Sequence, residues 1–267
     1  MTELVKINIE NAIACVEFNR PEKYNSLNLE MFNAIIEAGE SIIKNPDIRV
    51  VVLSGAGKGF CAGLDFSSFV GLATGDPNDI ELFRREAGNP ANKAQDVGYI
   101  WKRVPVPVIA AVHGVAYGGG LQIALGADIR IASPDAKFSV MEIKWGLIPD
   151  MSGSQTLRDL VGLDVAKELT FTGRIIEAAE ADKLGLVTRI SENPLDESME
   201  MARTIALKNP DAIKAAKSLF EKTWHGDSGE GLELEEKLQK MIIGSPNQLE
   251  AVTANFENRD PKFINSN

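Results

Sequence analysis

Two stretches limit what this chain can fold into more than any others. Residues 49–55, RVVVLSG, and 106–116, VPVIAAVHGVA, are continuous apolar runs rich in β-branched residues and bounded by turn residues. A strand with one face in water alternates apolar and polar side chains, so unbroken runs of this kind predict strands buried on both faces. Helices must then cover the sheet, because only covering layers remove both faces from water. The spacing supplies them. Residues 29–44, LEMFNAIIEAGESIIK, place apolar side chains at helical period behind Asn28 as a cap and end before Asn45-Pro46. An opening hairpin is predicted over residues 4–18, with its turn at Glu10-Asn11. After Gly118, Gly119 and Gly120 the period changes to that of a helix (LQIALGA) and then to a strand (DIRIAS). Further on, AKFSVMEI predicts a short strand carrying Glu142, DMSGSQTLRDLV a helix, and RIIEAAEADKLGLVTRI a helix running into a strand. The expected fold class is α/β, built from repeated strand-strand-helix units. From about residue 197 the pattern is almost wholly helical, so the chain divides into a core (1–196) and a C-terminal helical region (197–267) for packing and assembly.

Composition narrows the function. The net charge of −10 opposes binding to a phosphate backbone, which excludes nucleic acid as the expected partner while leaving room for a small anionic ligand held by local donors. No run reaches the roughly eighteen apolar residues a membrane span needs, and the N-terminus lacks the pattern of a secretion signal, so a cytoplasmic protein without a membrane partner is expected. Cys15 and Cys61, with His113 and His225, form no metal-ligand spacing and no disulfide framework, so neither metal nor disulfide is expected.

Two glycine clusters invite chemical readings. Gly55, Gly57 and Gly59 with Lys58 do not make a phosphate loop, because Lys58 is followed by Gly rather than Ser or Thr. The overlapping Gly59-Phe60-Cys61-Ala62-Gly63 has the form of a nucleophile elbow with cysteine as nucleophile, which keeps a cysteine hydrolase as a rival; the alternative is a small buried thiol. Gly118–Gly120, between a buried strand and a helix start, offers free N–H groups and a favourable dipole to an oxyanion, or else serves close packing.

The order AGLD (62–65), PVIAAVHGVAYGGGLQIALGADIRIAS, KFSVMEIKWGLIPDMSGSQTLRDLVG and FTGRIIEAAEADKLGLVTRI, flanked by RPEKYNSLN and NFENRDPKF, closely resembles the enoyl-CoA hydratase/isomerase (crotonase) family over essentially the whole chain. The resemblance implies a crotonase-like spiral and an acyl-CoA thioester substrate whose carbonyl oxygen rests between the amides of Leu64 and Gly119. It implies no separate cofactor, since coenzyme A is part of the substrate, and a homo-oligomer, trimer or dimer of trimers. Gly119 is expected to tolerate substitution least. Family hydratases use two glutamates. Here the first position is Gln122, which cannot act as a general base, and the second is Glu142, which is retained. Asp150 occupies the place of a second acid in family dienoyl-CoA isomerases and is equally a candidate N-cap for the next helix. Double-bond isomerisation by Glu142, with Asp150 and Gln122 as further catalytic candidates, is therefore favoured over hydration; a non-catalytic acyl-CoA binder is the remaining alternative. Lys23, Tyr24, Ser26, Ala62, Gly63 and Asp65 are the implied CoA contacts. Phe66, Phe69, Phe83 and Trp101 are candidates for an acyl pocket, the alternative for each being plain core.

Overall fold

The computed structural model describes residues 3–65 and 81–265. Strands β1 (Val5–Glu10) and β2 (Ile13–Phe18) form the expected antiparallel hairpin, with Asn11 and Ala12 at positive φ in the turn. Helix α1 (Leu29–Ile43) follows, and Asn28 caps it as predicted, its side chain accepting from Met31 N at 3.0 Å. β3 (Val50–Gly55), β4 (Val108–Val112), β6 (Ile129–Ala132) and β9 (Arg189–Ile190) then add in parallel, giving a six-stranded sheet of order β1-β2-β3-β4-β6-β9.

Both faces of this sheet are covered, as the unbroken apolar runs require. Val51, Leu53, Ala110 and Val112 share a core with Phe32 and Ile35 of α1 and with Val97, Ile100 and Trp101 of α2 (Lys93–Arg103). Val50, Val52, Ile109 and Ile131 lie in a second core with Ala202 and Ala206. Those alanines belong to the helix Pro194–Ala206, so a boundary at 196/197 falls inside an element that is part of the core.

The run 106–116 is two strands, not one. It bends at His113-Gly114, where Gly114 has φ +60° and an added Cβ would sit 2.1 Å from Lys58 O. β5 (Val115–Tyr117) leaves the large sheet and pairs with β7 (Lys137–Ser139), which pairs in turn with β8 (Ile176–Glu177). Each turn of the spiral therefore lays one strand in the large sheet and the next in the small one, as in β4-β5 and β6-β7. Helix α3 (Gly119–Gly126) follows β5 and is buried along its whole length. The 3₁₀ turn Glu142–Trp145 and helices α4 (Gly153–Leu160) and α5 (Leu163–Thr172) follow β7, and α6 (Ala178–Leu184) lies between β8 and β9.

Four helices close the chain: α7 (Pro194–Ala206), α8 (Pro210–Thr223), α9 (Ser228–Ile242) and α10 (Pro246–Phe256). Lys217 fastens α8 to the core, donating to Trp101 O, Val106 O and Asp128 Oδ2. Helix α9 buries no residue and presents Leu232 and Met241 to solvent. Among the described residues, no helix is long and apolar enough to cross a membrane.

Candidate active site

Three segments distant in sequence meet at the end of the small sheet. The first, 61–65, is held from both sides. Cys61 N donates to Val115 O and its carbonyl accepts from Tyr117 N, while Ala62 N donates to Tyr24 O, Leu27 N to Gly63 O and Asp65 N to Leu27 O. Asn25, fully buried and at φ +55°, secures the approach to it: Nδ2 donates to the carbonyls of Ala56, Gly59 and Phe60, and Oδ1 accepts from Arg20 N. Sequence reasoning passed over Asn25. Its signal was a short polar side chain able to adopt the left-handed conformation within an otherwise charged turn.

The second segment is the turn 117–120, and glycine is what lets it lie against the first. A Cβ on Gly63, which has φ +86°, would be 2.6 Å from Tyr117 O; one on Gly120 would be 2.1 Å from Cys61 O. At Gly119 the obstacles are the ends of flexible side chains, Met151 Sδ at 2.5 Å and Leu27 Cδ1 at 2.9 Å. Gly63 and Gly120, rather than Gly119, are thus the positions where a side chain is least tolerable. Neither Leu64 N nor Gly119 N donates a hydrogen bond to any described residue. Gly119 is the first residue of α3, where backbone donors lack intrahelical acceptors and the dipole favours negative charge.

The third segment runs from Glu142 to Gly153. Leu64, Gly119, Glu142 and Asp150 all line one cavity of about 130 Å³, closed in part by Phe83 and Trp145. Glu142 does not sit on a strand as expected: β7 ends at Ser139, and Glu142 opens the 3₁₀ turn, 8% exposed. Its Oε1 accepts from Gln122 Nε2 at 2.5 Å, whereas Oε2 is buried without a partner among the described residues. Burial pushes the Glu142 carboxyl up, opposed by its own backbone N–H and the Gln122 amide and assisted by the charge of Asp150. Burial also raises Asp150, against a hydrogen bond from its own backbone. Asp150 is not the cap of α4. Ser152 occupies the N-cap position at φ +70° without a side-chain cap, and the N–H of Gly153 is taken by Gln122 Oε1. Gln122 lines no part of the cavity and spends both ends of its amide within the protein, so its expected contact with water or substrate is not what this geometry provides.

The other expected residues separate into two groups. Ala62 and Gly63 line the cavity, and Lys23 with half-exposed Tyr24 stands where the 3₁₀ turn Pro21–Lys23 meets the 61–65 segment. Ser26 and Asp65 instead join the two loops: Arg20 Nη1 lies 2.5 Å from Asp65 Oδ2, and Ser26 Oγ donates to the same oxygen at 3.2 Å. Phe83 lines the cavity, Trp101 is fully buried core, and Phe66 and Phe69 lie outside the described residues.

The cysteine-nucleophile reading is overturned. Cys61 is fully buried, its Sγ donates to Asn25 O at 3.1 Å, and desolvation pushes the thiol up to about 12. His113 pairs with Gly57 O and His225 with Asp159, so neither serves Cys61 as a base. Cys61→Ala should keep turnover within about twofold of wild type, and iodoacetamide should leave the folded enzyme active, because a buried protonated thiol is inert. Loss of activity in steady-state assays of the Ala variant would restore the nucleophile.

Comparison with known proteins agrees with this geometry. The sequence profile of the family described as enoyl-CoA hydratase/isomerase matches residues 8–266. A probable enoyl-CoA hydratase of Mycobacterium bovis is 32% identical over 263 residues, covering 98% of each chain. The peroxisomal Δ(3,5)-Δ(2,4)-dienoyl-CoA isomerase of Arabidopsis thaliana is 32% identical over 266 residues, covering 98% of this chain and 96% of its own. The crystal structure of an enoyl-CoA hydratase from Bacillus anthracis superposes with a TM-score of 0.88 at 30% identity, over 97% of this chain and 98% of that one. With a family match spanning nearly its full length and the spiral of strand pairs and helices seen above, the chain belongs to the enoyl-CoA hydratase/isomerase family and is an enzyme of the crotonase fold.

Proposed function

We propose that this enzyme moves a double bond along the acyl chain of an enoyl-CoA. The observation that supports this over hydration is the state of Gln122: a neutral amide bound to Glu142, Met151 and Gly153 and lining no part of the cavity, it cannot serve as a second general base for a water molecule. Among the described residues, Glu142 and Asp150 remain as the two carboxyls on the cavity.

In this reading the thioester oxygen rests between the amides of Leu64 and Gly119. Glu142 Oε2 takes a proton from C2 of a 3-enoyl-CoA, and the C–H electron pair moves into an enolate whose charge the two amides stabilise. Returning the proton at C4 places the double bond between C2 and C3. On a 3,5-dienoyl-CoA the charge extends further, and Asp150 supplies a second carboxyl for the distant carbon. Electrons stay on the substrate throughout, so neither a redox cofactor nor a metal is part of the proposal. Lys23 and Tyr24 contact the CoA moiety. Copies of the chain associate through the apolar residues left exposed on α9 and α10, among them Leu232, Met241 and Phe256.

Purified enzyme given 2-enoyl-, 3-enoyl- and 3,5-dienoyl-CoA separately, with products separated by chromatography, should convert a 3-enoyl or 3,5-dienoyl substrate at least about tenfold faster than it hydrates a 2-enoyl one, given the handicap of a missing general base. Faster hydration would replace this reading with a hydratase in which Glu142 works alone.

A further inference from the structure

Gln122 is 2% exposed and connects three elements through one amide. Nε2 donates to Glu142 Oε1, while Oε1 accepts from Met151 N at 2.9 Å and from Gly153 N at 2.8 Å. These two N–H groups flank Ser152, a non-glycine residue at φ +70°, so the backbone curls around a single oxygen as a concave nest that favours negative charge. Gly153 permits the approach, since a Cβ there would be 2.6 Å from Gln122 Oε1. Asp150 immediately precedes this clamped turn. The buried Glu142 Oε2, in contrast, has no partner among the described residues.

We propose that Gln122 is a positioning residue: it holds the Glu142 carboxyl by one oxygen, leaves Oε2 as the atom that exchanges protons with substrate, and through the 151–153 backbone sets where Asp150 stands. This rests on the reading of Glu142 as proton carrier, and not on which double bond is moved.

The identity of the amide has a reason. A carboxylate in its place would face Glu142 Oε1 across 2.5 Å, and two carboxyls that close cannot both ionise. The amide, which cannot compete for the charge, leaves Glu142 as the member of the pair able to act as a base. Among the described residues that line the cavity, Glu142 and Asp150 are the ionisable ones, and Asp150 is the charge that acts on Glu142. The amide favours the ionised form of Glu142 and Asp150 opposes it. Without the amide Glu142 keeps its proton to higher pH, and because the ionised form is the base, the acid limb of the pH–rate profile must move upward.

Gln122→Met removes both halves of the clamp at similar volume; Gln122→Glu keeps an acceptor for Met151 and Gly153 but replaces the donor with a second carboxyl. Two measurements on the full-length enzyme test the idea. One is kcat/KM against pH on whichever enoyl-CoA is turned over fastest. The other is titration of Glu142 by NMR of protein carrying ¹³C-labelled glutamate carboxyls, its signal assigned by its loss in Glu142→Gln. In both variants the Glu142 titration should move up by about one pH unit or more, and the acid limb should move with it. kcat should fall about tenfold or more, with KM changed much less. Thermal stability near neutrality should drop in both variants, because Gln122→Met leaves the Met151 and Gly153 N–H groups unpaired and Gln122→Glu adds a second buried carboxyl beside Glu142. A Glu142 titration and an acid limb left at their wild-type positions in both variants would overturn the proposal, whereas substrate preference bears only on the isomerase reading.

Discussion

Glu142→Gln should lower turnover by about 10²- to 10⁴-fold on every enoyl-CoA the enzyme accepts, the range a positioned general acid–base contributes. KM should change little, because the amide fills the same space and can still accept from Gln122 Nε2. Stability should hold or rise. The sign follows from the raised carboxyl: a group that binds its proton more tightly folded than unfolded stabilises the fold at low pH, and that contribution is lost as pH rises through the folded pKa. Once ionised, the buried carboxyl, whose Oε2 has no partner among the described residues, is therefore a burden that glutamine relieves. A thermal midpoint at or above wild type, measured beside the steady-state constants, would separate lost chemistry from lost structure. Turnover within tenfold of wild type would remove Glu142 from the mechanism.

Gly63→Ala should be severely damaging to the site. The left-handed backbone costs a non-glycine residue about 1–2 kcal/mol. The new Cβ would also press against Tyr117 O at 2.6 Å, a backbone atom fixed by its own strand. Relief must come from moving the 62–64 loop, which carries the Leu64 amide away from Gly119. Losing one oxyanion donor costs about 2.7–4 kcal/mol, or 10²- to 10³-fold in kcat. Gly119→Ala is the instructive control: its new Cβ meets Met151 and Leu27 side chains that can repack, so its loss should be the smaller of the two. Kinetics and thermal denaturation of both variants decide the point, and a Gly63→Ala enzyme with wild-type kcat/KM would mean that Leu64 N is not where the charge develops.

How far the sequence carried these conclusions differs from residue to residue. The two-faced burial of β3 and β4 was legible because no polar side chain interrupts their runs. The Asn28 cap was legible because capping is local. The break between β4 and β5 was not, since His113-Gly114 looks like strand until Lys58 O is seen against Gly114. Nor was the placement of Glu142, because an apolar run can stop pairing wherever the neighbouring strand ends, and β7 ends at Ser139. Asp150 looked equally good as a cap, but Gln122, twenty-eight residues earlier, had already taken the N–H such a cap would serve.

Cys61 and Gln122 show the division most plainly. By itself the sequence determined residue types and local order: a family-wide pattern with Gln122 where a glutamate stands in hydratases, Glu142 retained, and glycines where loops cross. Only the tertiary structure decided protonation and partnership. Burial made Cys61 a thiol and raised Glu142, and the nest at 151–153 turned Gln122 from a contact for substrate into a clamp on Glu142. The reason is that pattern and capping depend on neighbours along the chain, whereas desolvation and hydrogen-bond saturation depend on groups that the fold alone brings within a few ångströms.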